Sequence, residues 1–206
     1  MTDKDGLVDR VRDHATDDDL PRAHQAPERR WTDVLMHHWP TALGIAVAAL
    51  AAYDIEDGLE FATLTVLMAL VYVGAAALDR RRFAWVVLIV GLAVLTVIPS
   101  ASEVVPSVGF LVVALVFLVL GVARGLWRRP SGLPLQTAGM LAFGSIVLVA
   151  LYVEPNLGGK LVAFALIGHA AWDAYHYLRD RVVARSYAEF CGVLDLLVGA
   201  AILFMT

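Results

Sequence analysis

Long apolar runs broken by short charged loops dominate this chain from about residue 34 onward. Seven such runs are visible: Val34–Tyr53, Leu59–Leu78, Phe83–Pro99, Val105–Trp127, Pro134–Val153, Lys160–Leu178 and Tyr187–Met205. A membrane-spanning helix needs about 20 apolar residues, with a range of ~17–25, and each run is long enough. The pattern predicts an all-α fold: a polytopic membrane helical bundle with seven transmembrane helices.

The loops set an orientation. Arg80, Arg81 and Arg82 follow the second run, Arg124, Arg128 and Arg129 the fourth, and Arg179, Arg181 and Arg185 the sixth. The alternate loops hold Asp54, Glu56, Asp57, Glu60, Glu103 and Glu154, with Lys160 as their only base. Positively charged loops stay in the cytoplasm, so the N-terminus is expected inside and the C-terminus outside. Trp31, Trp39, Trp85 and Trp127 fall near the expected cytoplasmic ends, where aromatic belts form. The expected location is a prokaryotic inner membrane.

Residues 1–30 differ from the rest. They carry eight acidic and six basic residues and little apolar content. Asp17, Asp18 and Asp19 with two prolines predict a disordered cytoplasmic tail, residues 1–30, ahead of a seven-helix domain, residues 31–206. A polar start predicts no cleavable signal peptide, so the first span directs insertion. Composition agrees: the chain is 59% hydrophobic and 17% charged, with a mean hydropathy of +0.70. A single cysteine, Cys191, excludes an intramolecular disulfide. The arginine loops read as topology signals that meet anionic lipid head groups rather than nucleic acid. The bilayer is the expected partner, and a homo-oligomer stays open.

An internal repeat runs through the spans. Gly74 in VGAAALDR, Gly121 in LGVARGLW and Gly168 in IGHAAWDAY are each 47 residues apart. The returning spans begin alike, at Gly44, Gly91, Gly139 and Gly192. One lone helix followed by three repeated hairpins describes the pattern, and small residues at matched positions fit close helix packing. Together with the outer-loop segments IPSASEVVP (98–106) and EPNLGG (154–159), this resembles the HdeD-type family of small bacterial membrane proteins over most of residues 41–206. The resemblance implies an envelope or stress-related role without catalytic chemistry. The last hairpin departs from that pattern, so no functional residue is carried over.

That hairpin contains the most unusual residues in the chain. His169, Asp173 and His176 lie at i, i+4 and i+7 inside LVAFALIGHAAWDAYHYL and share one helical stripe. His169 falls roughly 15 Å in from Arg179, and Asp173 roughly 9 Å. Ionisable groups at such depth are costly and mark functional sites by default. On the last run Asp195 comes to a matching level, about 12 Å in from Tyr187. It shares a face with Ala188, Gly192 and Gly199, a stripe suited to packing against the sixth helix. Asp195 is therefore expected to reach His169 or Asp173. Glu189 lies about 120° away from it and nearer the cytoplasm, as a partner for His176 or Arg179. His37 and His38 enter the first helix at that same level.

Three roles fit these residues. The first is a hydrogen-bonded structural cluster that fixes helix register. The second is a proton or ion relay through His169, Asp173, His176, Asp195 and Glu189, since histidine titrates near neutral pH and such chains build membrane relays. The outer half supplies few polar residues: Thr63 and Thr65 are candidates, and no continuous path is evident. The third is a metal site, with Zn or Fe held by His169, Asp173, His176 and Asp195, and then an intramembrane hydrolase-like enzyme. The layout is also similar to that of the progestin-receptor and alkaline-ceramidase hydrolases. Those carry Ser-x3-His and His-x3-His motifs, and this chain has neither. Whether the protein is an enzyme is left open by the sequence.

Overall fold

The computed structural model describes residues 38–53, 55–97, 102–128 and 132–205. The expected tail, and His37, lie outside those residues. Among the described residues seven α-helices follow one another: α1 (Trp39–Ala52), α2 (Ala62–Leu78), α3 (Phe83–Val97), α4 (Val104–Ala123), α5 (Leu133–Ala150), α6 (Pro155–Arg179) and α7 (Arg185–Met205). No strand occurs among the described residues.

Local chemistry sets several helix ends. Proline occupies the first turns of α1, α5 and α6, where its missing N–H costs nothing. The Glu154 carboxylate caps α6, accepting from the Asn156 and Leu157 amides at 3.1 Å each. Helices α2 and α6 both stop on an aspartate in the left-handed conformation, Asp79 and Asp180. Short polar side chains tolerate that backbone better than most residues.

Helix α2, with the short 3-10 turn Leu59–Phe61 ahead of it, is the axis of the bundle. Helices α3, α4, α5 and α6 all pack on it, and almost all its side chains are buried. The most extensive helix pair is α6 with α7, and α1 packs on the other side of α7. Elsewhere the buried positions form narrow stripes, such as Ser107, Phe110, Ala114 and Gly121 on α4. The outward faces are apolar too, as with Ile89 and Val90 on α3 and Val112, Val116 and Val119 on α4. An apolar exterior of this extent belongs to a protein surrounded by lipid.

Among the described residues four segments are long and apolar enough to cross a membrane: Leu59–Leu78, Val104–Ala123, Leu133–Ala150 and Arg185–Met205. Helices α1 and α3, with 14 and 15 residues, are shorter than the apolar runs containing them. Helix α6 has 25 residues, and its polar side chains lower its hydropathy.

The arginine loops gather at one end. Arg81 pairs with Asp180 at 3.1 Å, and Arg124 Nη1 donates to the Ala77 carbonyl at 3.0 Å. At the opposite end Thr63 hydrogen-bonds Ser107 at 2.9 Å and the Glu103 carbonyl at 3.1 Å.

Close helix approach depends on glycine at two places near the site. A methyl group on Gly44 would stand 2.9 Å from the Phe190 carbonyl oxygen, so α1 meets the backbone of α7 there. One on Gly192 would stand 3.2 Å from Asp173 Cβ, so α7 closes on α6 beside the polar stripe.

Candidate functional site

The stripe on α6 turns inward, and three neighbouring helices supply its partners. Helix α7 brings Asp195: His169 Nδ1 donates to its Oδ2 at 2.8 Å. Asp173 Oδ2 lies 3.3 Å from the same nitrogen, without a hydrogen bond. Helix α2 brings Tyr72, whose hydroxyl donates to Asp173 Oδ1 in a short hydrogen bond. The four side chains are sealed: exposure is 1% for His169, Asp195 and Tyr72 and 0% for Asp173.

Around this core the walls are aromatic. Phe143 on α5 meets the His169 ring edge-on at 5.0 Å, and Tyr72 meets it at 5.6 Å. Tyr187, also buried, stands edge-on to Tyr72 at 6.0 Å, and its hydroxyl has only the weak Cys191 thiol beside it.

The hydrogen count of the centre does not close. Four carboxylate oxygens receive one Nδ1 hydrogen and one phenolic hydrogen. Asp195 Oδ1, Asp173 Oδ2 and His169 Nε2 remain without hydrogen-bond partners. A buried polar atom left unsatisfied costs ~1–3 kcal/mol. With both carboxyls ionised, two carboxylates face an imidazole that carries at most one positive charge, and a proton on either carboxyl would balance them. One ligand atom from each of His169, Asp173 and Asp195 fits within a 4.8 Å cluster, close enough for a single ion.

His176 belongs to a separate network. Its Nδ1 lies 2.8 Å from the Trp172 carbonyl, which can only accept, so Nδ1 carries a hydrogen. Its Nε2 lies 2.9 Å from Gln136 Nε2 on α5. The Trp172 indole N–H donates to Gln136 Oε1 at 3.2 Å, which fixes the amide with its NH2 toward His176. His176 Nε2 is thus an acceptor, and the ring is a neutral, fully partnered Nδ1–H tautomer. It is in ring contact with Tyr72 at 4.8 Å but is not part of the three-residue cluster.

Glu189 is elsewhere. The Thr41 hydroxyl donates to it in a short hydrogen bond, and His38 stands 3.7 Å from the same oxygen. Glu189 lines a groove with Ala170, Ala174 and Tyr177 of α6, but its polar contacts run to the α1 side, and neither His176 nor Arg179 is paired with it. Thr63 binds Ser107, and Thr65 donates to the Phe61 carbonyl at 2.9 Å. The seven residue steps from Thr65 to Tyr72 span about 10 Å of α2 with no polar side chain between them.

Tyr72 and Gln136 are the contributors that the sequence pattern alone does not single out. Tyr72 is isolated in an apolar run and Gln136 stands beside Thr137 near the start of another, so neither has a periodicity to mark it. Compared with protein-family models, curated proteins and solved structures, the chain matches none.

Proposed function

We propose that this is a multi-pass membrane protein, crossing a prokaryotic inner membrane seven times with its N-terminus inside, whose buried centre binds and releases a cation. The gathering of the arginine loops at one end supports that orientation. The single observation that carries the cation reading is His169 Nδ1 set against two carboxylates in a sealed core, with three polar atoms unpartnered.

The first cation in question is a proton. Histidine and aspartate in contact exchange one readily, and chains of them serve membrane proteins as proton sites. The apolar stretch between Thr65 and Tyr72 favours uptake and release at one side over passage through the bilayer. Such a centre suits an envelope or stress-related protein that responds to acid. Infrared difference spectra of the reconstituted protein on a pH step test this reading. A protonated-carboxyl band is expected in the native protein and is altered in Asp195→Asn. Identical spectra for the two proteins sink the proton reading.

A second reading is favoured by the 4.8 Å cluster. His169, Asp173 and Asp195 would hold Zn or Fe through nitrogen and oxygen, with Tyr72 orienting Asp173 from outside. Bound metal with an open coordination position would supply an activated water and make the protein a hydrolase-like enzyme. Elemental analysis of the native protein beside Asp173→Ala/Asp195→Ala decides it. Near-stoichiometric metal in the first alone establishes this reading. No metal in either removes it.

A further inference from the structure

At the end where the arginine loops gather, a cavity of about 320 Å³ opens between the α2–α3 and α6–α7 connections. Arg80, Arg81 and Arg181 converge on it from loops a hundred residues apart, over a floor formed by Ala75 and Ala76. Among the described residues Asp79 is the one acidic group in the lining. Asp180, next to it, is occupied by Arg81 at 3.1 Å and Arg185 at 3.5 Å. Among the described residues neither Arg80 nor Arg181 forms an ion pair, although Arg80 lies over the Phe83 ring at 5.9 Å. Among the described residues the lining therefore carries three arginines against one carboxylate. Guanidinium groups in a fork recognise phosphate oxygens bidentately.

The loop is also built at some cost. Val182, in the lining, has φ 71°, a conformation that β-branched residues rarely adopt. This bend follows directly on Arg181, the residue that the α6–α7 connection contributes to the cavity. Strain of this kind persists where the surrounding structure holds it, and it clusters at binding sites.

We infer that this cavity is a binding site for a phosphate group, with Arg80 and Arg181 as the principal ligands and Arg81 held in place by Asp180. Its occupant is a phosphodiester of an anionic lipid head group or a soluble phosphate anion. The lipid source rests on the membrane reading above, whereas the phosphate chemistry does not. The head-group source agrees with the position at helix ends flanked by apolar surface.

The test uses the full chain in detergent, with thermal stability and retained ligand read by native mass spectrometry. Phosphatidylglycerol, phosphatidylcholine and inorganic phosphate are added separately. Arg80→Gln/Arg181→Gln is compared with the native protein and with Arg82→Gln, an exposed arginine outside the lining. Phosphatidylglycerol is expected to bind and stabilise more than phosphatidylcholine. Binding falls roughly 30-fold in the double variant and little in Arg82→Gln. Equal protection by inorganic phosphate, lost in the same double variant, assigns the site to a soluble anion. Binding unchanged in the double variant, or weakened as much in Arg82→Gln, overturns the proposal. Failure of the lipid arm alone, with phosphate still bound, counts against the membrane source and not against the site.

Discussion

The Asp195 carboxylate accepts a hydrogen bond from His169 Nδ1 at 2.8 Å, across the α6–α7 interface and 26 positions along the chain. Neither side chain touches water. This pair ties the last two helices together at a depth where any unpaired charge is expensive.

Asp195→Ala removes the acceptor and leaves His169 against Asp173 alone. Breaking a buried pair from one side costs ~3–5 kcal/mol. Thermal unfolding in detergent is expected to show a large drop in midpoint. Asp195→Asn keeps an acceptor oxygen and should lose less. A midpoint unmoved in the alanine variant would mean the pair does not hold α7 in place.

Tyr72→Phe deletes the hydrogen donated to Asp173 Oδ1 without changing the ring packing against His176 and Tyr187. The carboxylate oxygen then joins the unpartnered atoms, at a cost of ~1–3 kcal/mol. Under the proton reading the carboxyl infrared band also moves in this variant. Native stability together with a native band would remove Tyr72 from the centre.

Gln136→Leu strips partners from both His176 Nε2 and the Trp172 indole. Nitrogen NMR of the imidazoles is expected to show His176 as a neutral Nδ1–H tautomer in the native protein. In Gln136→Leu its Nε2 resonance shifts. A doubly protonated His176 in the native protein at neutral pH contradicts the assigned amide orientation.

Gly44 and Gly168 offer a matched contrast. A methyl on Gly44 meets the Phe190 carbonyl oxygen at 2.9 Å, whereas one on Gly168 meets only Phe143, at 3.5 Å. Gly44→Ala must push α1 off α7 and is expected to destabilise by ~1–3 kcal/mol. Gly168→Ala fits the space and gains up to ~1 kcal/mol from the helix preference for alanine. Equal midpoints for the two variants would refute the close approach at Gly44.

The helices themselves were largely readable. The run Leu59–Leu78 reappears as the 3-10 turn and α2, and Tyr187–Met205 lies within α7. Backbone hydrogen bonding inside a helix is local, so an uninterrupted apolar run bounded by charged loops settles it. The stripe of His169, Asp173 and His176 was equally visible, because helical spacing alone puts them on one face. The level of Asp195 followed from counting residues along two antiparallel helices.

Glu189 shows where such counting stops. It comes to the level of the end of α6 and borders a groove with Tyr177, yet its carboxylate is taken by Thr41, because α1 also packs on α7 there. Local spacing and charge were enough to give the helices, their approximate ends, the arginines of alternate loops and the polar stripe. Only the tertiary structure decided which face of each helix is inside, that Tyr72 joins Asp173, that Gln136 holds His176 apart, and that three polar atoms are left without partners. The reason is physical: in a chain whose helices are apolar on the lipid side as well as the core side, no alternation of polar and apolar residues marks the inner face. The choice falls to shape, to where a glycine lets two helices meet, and shape belongs to pairs of helices rather than to the chain.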